Sequence, residues 1–254
     1  MSQERYTTTP MSLAGFAPEA PHPVHVAAVG YEAARTDTPE LITAVYRKLG
    51  VFTPEAAEKA PELLKPAIAN LRETHASLSL EPFVAIELTE RFGLRALVAH
   101  FDKAYNGHNK TFVWPGLWSQ YDLVSLNRRT IDGQSEPTSD SLRGHVLTIG
   151  QNQYNEPGLV DTNKNMDAQR DFAKNQTLLN VTDWLLLEAM RRENGQESFD
   201  TQTVTRFPQM EQKTVGGVSF VGFAGSGGRR AVLYGSSDWM DPNVGVRFSV
   251  GQKA

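Results

Sequence analysis

The feature that most constrains the fold of this chain is a change in sequence pattern near residue 110. Before it, apolar residues recur at helical spacing between proline and glycine boundaries. After it, short β-branched and aromatic runs alternate with Gly, Asn and Ser turns. Helices that precede the strands along a chain favour the α+β class. We therefore predict an extended arm over residues 1–36, a helical unit over 37–110 and an α+β domain over 111–254.

Helix boundaries in the first half are marked by local signals. Thr38-Pro39-Glu40 combines an N-cap, a first-turn proline and an acidic first turn, and Gly50 ends that helix. Thr53-Pro54-Glu55 repeats the same start signal. We also predict helices over residues 81–91 and 94–105, which Gly93 separates.

Two helices interrupt the strands of the second half. We predict one over residues 166–174 and another over 183–193, with Thr182 as its N-cap. The second is apolar nearly all round at its start, from Trp184 to Leu187, so it should be buried. The strands are predicted at residues 111–115, 145–149, 203–207, 218–223, 230–234 and 244–250.

Composition excludes several functional classes. The net charge of −4 gives no electrostatic basis for binding nucleic acid. The absence of cysteine excludes disulfides, thiolate metal sites and cysteine nucleophiles. The first residues lack a basic segment followed by an apolar one, and no apolar run approaches the roughly 20 residues of a membrane span. We expect a soluble protein without membrane insertion, cytoplasmic or virion-associated.

Two segments of the second half resemble a known family. The first runs Asp167-Ala-Gln-Arg-Asp-Phe-Ala-Lys174 and continues through Thr182, Trp184, Ala189, Arg191 and Gly195. The second runs Arg230-Ala-Val-Leu-Tyr-Gly-Ser-Ser-Asp-Trp239 and closes with Gly245-Val-Arg-Phe-Ser-Val250. Residues 166–250 thus resemble the formylglycine-generating-enzyme branch of the C-type-lectin-like fold. The resemblance implies a C-type-lectin-like domain in which the last strand, 244–250, lies near residues 230–234.

The resemblance also implies a binding role. The oxidase branch of the family needs cysteine, which this chain lacks. The sulfoxide-forming branch carries its iron on a His-x3-His-x-Glu pattern, which the helical half does not contain. The remaining branch displays variable loops on a rigid scaffold, including receptor-binding and retroelement-diversified proteins of phages and their hosts. A protein or glycan ligand would then contact the C-terminal segment of Tyr234, Ser236, Ser237, Asp238, Trp239, Asp241 and Asn243, whose aromatic and short polar side chains suit a binding surface.

Metal sites are the main alternative. His100, Asp102 and His108 offer two imidazoles and a carboxylate, the donor set of a facial Fe(II) or open Zn site in a metal-dependent enzyme. The structural interpretation of these residues is a helix-end histidine beside a solvated aspartate. Asp238, Asp241 and Asn243 are oxygen donors for Ca²⁺. A third possibility is a structural or assembly protein whose helical half forms a homo-oligomer.

Four other features each have a functional and a structural interpretation. The aromatic stretch from Trp114 to Tyr121 suits sugar stacking or a core at the junction of the two halves. The glycine-rich residues 225–230 suit a phosphate cradle or, more simply, a hairpin loop. Trp184 is expected in the core, and Arg247 is expected either to reach solvent or to pair with a carboxylate.

Overall fold

The structure is a computed structural model of all 254 residues. It describes residues 38–106, 110–113, 117–118, 121–131, 141–148, 154, 156–196, 198, 200–210, 221–225, 232–236 and 240–251. For residues 221–225 and 232–236, the backbone alone is described. The predicted arm over residues 1–36 lies outside the described residues.

The first two helices begin where their caps predict. Helix α1 spans Thr38–Lys48, and Gly50 follows it with a positive φ of 70°, a conformation that glycine adopts without steric cost. Helix α2 spans Pro54–Thr74, and the Thr53 side chain accepts a hydrogen bond from the Ala56 amide at 3.2 Å. Both predicted starts are therefore confirmed.

The predicted helix over residues 81–91 is wrong. Leu80–Val84 forms strand β1, and the next helix, α3, spans Leu94–Phe101 before a π-helical turn at Asp102–Asn106. The β1 backbone pairs with a strand about 60 positions later, a contact that no local pattern shows. Pro82 is compatible with this position because β1 lies at the edge of its sheet.

The second half has the predicted mixture of short strands and two longer helices. Helix α5 at Met166–Ala173 and helix α6 at Val181–Glu193 confirm the predicted pair. The chain is therefore of the α+β class. The other elements are β2 Phe112–Val113, α4 Leu123–Asn127, β3 Leu142–Val146, β4 Val204–Phe207, β5 Val221–Gly225, β6 Val232–Ser236, β7 Val244–Gly245 and β8 Ser249–Gly251.

The strands form two sheets among the described residues. The first has the order β1-β3-β8 and is antiparallel. The second has the order β2-β6-β5-β4-β7, with parallel pairs β2–β6 and β4–β7 at its two ends. Strands β5 and β6 pair antiparallel up to Gly225 and Val232, as the hairpin interpretation predicts. Residues 226–231 between them lie outside the described part.

The predicted last strand is divided. Its first part, β7, belongs to the five-stranded sheet, and its last part, β8, belongs to the three-stranded one. Between them, Val246 and Phe248 form isolated bridges with Val160 and Leu178. Strands β5 and β4 lie between β6 and β7, a wider separation than the resemblance implies. The C-type-lectin-like arrangement stays a prediction.

Helix α6 is the buried centre of the fold, as its apolar start predicts. Every residue from Val181 to Arg191 is buried. Its predicted cap, Thr182, is wrong: the N-cap is Asn180, whose side chain accepts from the Asp183 amide at 2.9 Å. The Asp183 carboxylate accepts from the Asn180 amide at 3.2 Å in return, which completes a capping box.

One buried apolar cluster includes side chains from both sides of residue 110. Leu41 and Phe101 of the first half belong to it together with Trp184 and Val250 of the second. Residue 110 therefore marks a change of pattern rather than an interruption of the core. Within the described ranges, no helix has both the length and the apolar character that crossing a membrane requires.

Candidate functional site

The predicted ligand-binding segment is described in part. Tyr234 and Ser236 lie in β6, where the backbone is described. Ser237, Asp238 and Trp239 lie outside the described residues. Asp241 and Asn243 lie in the turn before β7, and both are half-buried. The segment therefore connects β6, the second strand in the order of the five-stranded sheet, with β7 at the opposite edge.

Backbone hydrogen bonds hold the Asp241–Asn243 turn in place. The Asp241 carbonyl accepts from the amides of Val244, at 3.0 Å, and Asn163, at 3.1 Å. The Asn243 carbonyl accepts from the Val204 amide at 2.8 Å. The Asp241 carboxylate accepts from the Asn243 amide at 2.7 Å, so one of the predicted calcium donors already caps its own turn.

A second loop lies beside this turn and was not predicted as part of the site. Asp161 and Asn163 have positive φ angles of 52° and 57°. Burial raises the pKa of Asp161 to about 6, and Lys164 opposes the shift. The alternating Asp-x-Asn-x-Asn pattern of residues 161–165 is the signal that could have found the loop, because Asp and Asn tolerate the left-handed region best after glycine.

A buried polar cluster surrounds the Asp200 carboxylate. This carboxylate accepts from the Trp184 indole at 2.8 Å and from the Arg247 guanidinium at 2.7 Å. The hydroxyls of Thr203 and Thr205 also donate to it. Arg247 and Asp200 are 1% exposed or less. The core interpretation of Trp184 and the carboxylate-pairing interpretation of Arg247 are therefore confirmed.

Two further buried ion pairs tie α6 to the rest of the fold. Arg129 donates to both carboxylate oxygens of Asp183, each at 2.8 Å. Arg191 donates to Glu81 of β1 at 3.1 Å. A buried charge is costly without a partner, so these pairs restrict how α6 packs. The two pairs join the first turn of α6 to Arg129 and its last turn to β1.

The residues of the predicted metal site are only partly described. His100 is exposed at the end of α3. One oxygen of the Asp102 carboxylate accepts from the Asn106 amide group at 2.6 Å and from the Thr111 backbone amide at 2.8 Å. This oxygen therefore joins the π-helical turn to Thr111, the residue before β2. His108 lies outside the described residues, so the triad stays a prediction.

Among the described residues, no three His, Asp or Glu side chains are arranged to hold a metal ion. His100 lies at a helix end, as the structural interpretation of these residues predicts. Asp102 is half-buried and its carboxylate accepts hydrogen bonds from protein groups, so the solvated aspartate of that interpretation is wrong. The predicted calcium donors include Asp238, which lies outside the described part of the chain.

The aromatic stretch supports the core interpretation where it is described. Leu117 and Tyr121 are buried, and burial raises the pKa of Tyr121. Trp118 is half-buried, and the Arg95 guanidinium lies 4.9 Å from its ring centroid. This cation–π contact covers a face that sugar stacking would need.

No protein-family model, curated protein or solved structure matches this chain. Function must therefore be inferred from its own residues and their geometry.

Proposed function

We propose that this chain is a non-catalytic binding module with a C-type-lectin-like scaffold and a protein or carbohydrate ligand. The ligand would contact the C-terminal segment between β6 and β7. The contacting residues would be Tyr234, Ser236, Ser237, Asp238, Trp239, Asp241 and Asn243.

The observation that carries this proposal is the contrast between a fixed turn and an exposed neighbour. The turn at Asp241–Asn243 is joined by backbone hydrogen bonds to two other segments, at Asn163 and Val204. Met240, directly before it, is 63% exposed. A surface that is rigid before binding loses little conformational freedom on binding, which favours affinity.

The composition of the segment adds a second argument. Tyr234 and Trp239 supply large aromatic contact areas with two rotatable side-chain bonds each, and the serines supply adaptable hydrogen bonds. Aromatic faces also stack on the apolar surface of sugars. The proposal therefore includes both a protein and a glycan ligand, which the experiment separates.

The test is a binding screen of the full chain on a glycan array and on a panel of surface proteins. Each hit is then titrated against Trp239→Ala and Met240→Ala. We expect each variant to weaken binding at least tenfold, because truncating a central contact residue of an interface costs about 2 kcal/mol or more. Leu63→Ala is the matched control, since Leu63 is 71% exposed on α2, a different element.

Two results would contradict the proposal. One is equal binding by the wild type, Trp239→Ala and Met240→Ala, which would place the ligand elsewhere. The other is loss of binding in Leu63→Ala with the C-terminal variants unaffected. That result would favour an assembly role of the helical half.

A further inference from the structure

Arg143 of β3 is a buried arginine that forms no ion pair with the carboxylates of the described residues. It is 4% exposed, and its Nε donates to the Ser249 hydroxyl at 3.1 Å. Of the four other buried arginines, three have carboxylate partners: Arg129 with Asp183, Arg191 with Glu81 and Arg247 with Asp200. The fourth, Arg206, donates to the Lys164 carbonyl and to the Gln169 side chain.

The charged groups that act on Arg143 are Arg129 and Asp183, and together the three side chains carry a net positive charge. Burial and, to a smaller extent, the Arg129 charge lower the pKa of Arg143 to about 10, and Asp183 opposes both. The Asp183 carboxylate, however, is held by two hydrogen bonds from Arg129. Its charge is therefore already matched, and Arg143 has no counterion of its own among the residues that the structure describes. An uncompensated buried charge is costly, so such a group calls for an explanation.

A second basic side chain approaches from another element. His75 at the C-terminal end of α2 is 8% exposed, and the Gly251 backbone and the Arg143 charge both act on the pKa of its ring. Gly251 lies against the Arg143 guanidinium, and a Cβ there would overlap Nη1. The absence of a side chain at Gly251 therefore makes room for the guanidinium beside His75.

We propose that Arg143 and His75 form a binding site for a small oxyanion, a carboxylate or a phosphate-type group. A guanidinium has five N–H donors, and Ser249 accepts from only one of its nitrogens. The donors on Nη1 and Nη2 match the two oxygens of such an anion in a fork geometry. The anion would supply the counterion that the described residues do not. This site is separate from the proposed ligand-binding segment and does not depend on it.

The arrangement makes anion binding depend on pH. Burial lowers the pKa of His75, the Gly251 carbonyl raises it, and the Arg143 charge lowers it. Arg143 is the charged group that acts on His75, while Arg129 and Asp183 act on Arg143. A bound anion would cancel part of the Arg143 field and raise the His75 pKa. By linkage, the anion then binds more tightly as the pH falls through the His75 titration.

The test uses sulfate, whose charge is constant over this pH range, added to the full chain at constant ionic strength. Calorimetric titration is made at pH 5.5 and pH 8, with melting temperatures in parallel. We expect saturable one-to-one binding that is tighter at the lower pH. Arg143→Gln should bind at least tenfold more weakly, and His75→Gln should bind with no pH dependence. Arg95→Gln is the control, because Arg95 is exposed.

Sulfate also stabilises proteins generally by exclusion from their surface. An equal rise in melting temperature for the wild type and Arg143→Gln would therefore overturn the proposal, as would no heat of binding to the wild type. If Arg143→Gln does not fold, Arg143→Lys replaces it: this variant keeps the charge but loses the fork, and unchanged affinity would again overturn the proposal. Competition by acetate and by methyl phosphate then distinguishes a carboxylate from a phosphate ligand.

Discussion

Replacing Arg247 by methionine gives the most direct test of how this scaffold is held together. The guanidinium donates to Asp200 at 2.7 Å and to the Thr205 hydroxyl at 2.7 Å, and also to the Pro157 carbonyl. Methionine has a similar length and fills much of the same volume. The substitution therefore removes the charge and the hydrogen bonds while leaving most of the apolar packing.

The expected cost follows from what remains around Asp200. The carboxylate keeps its hydrogen bonds from Trp184, Thr203 and Thr205 but loses its only ion-pair partner among the described residues. Breaking a buried ion pair on one side costs about 3–5 kcal/mol. For a chain of this size, each kcal/mol lowers the melting temperature by about 2–4 °C, so we expect a fall of about 10 °C.

Urea unfolding, followed by circular dichroism, measures this cost, and a double-mutant cycle isolates the pair. Asp200→Asn, Arg247→Met and the double variant are compared with the wild type. Because the double variant has no unpaired charge, it should lose about 2 kcal/mol less than the sum of the two single variants. A cost below about 1 kcal/mol for Arg247→Met, with additive variants, would refute the reasoning, since it would mean that the pair is not buried.

Four other predictions concern single features. Because burial lowers the His75 pKa below the ordinary value of 6.5, stability should fall as the pH decreases below about 6.5, and acid unfolding of His75→Gln should lack this component. Asp161 acts in the opposite direction: its raised pKa gives stability that is complete below about pH 4 and is lost as the pH rises through about 6, so Asp161→Asn should flatten that part of the curve. Asn180→Ala should cost about 1–2 kcal/mol in urea unfolding, whereas Thr182→Val should cost almost nothing, because the buried Thr182 hydroxyl has no hydrogen-bond partner. The metal content of the purified chain, by mass spectrometry, should show no near-stoichiometric Fe, Zn or Mn, and a stoichiometric metal lost in His100→Ala would instead support the enzyme alternative.

Local signals predicted the helix starts because capping is a local interaction. Thr53 caps α2 through an amide three residues away, and the sequence shows that spacing directly. The same logic placed the cap of α6 at Thr182 rather than Asn180, since both are polar residues just before the apolar run. The capping box identifies Asn180 as the N-cap, because Asp183 occupies the third helical position after it.

Long-range pairing explains what the sequence could not show. Leu80–Val84 has no helical or alternating pattern of its own, and its partner strand lies at Leu142–Val146. The sequence around Arg143 does not show that it forms no ion pair with the described carboxylates. The groups that interact with it, Ser249 and His75, are far from it along the chain. The residue types at Asp161 and Asn163 indicate that positive φ angles are possible there. No sequence pattern indicates that this loop is hydrogen-bonded to Asp241.

The buried polar contacts of α6 bear on the proposed function because of where each one leads. Asp183 at its first turn pairs with Arg129, Trp184 donates to Asp200, and Arg191 at its last turn pairs with Glu81 of β1. Buried ion pairs often add little stability compared with apolar packing of the same volume. Their effect here is to favour one packing of α6, since any other would leave charges buried without partners. A helix with a single favoured packing fixes the strands that pack against it. Under the proposed function, such a fixed scaffold would let the side chains of a binding surface vary without a change in its shape.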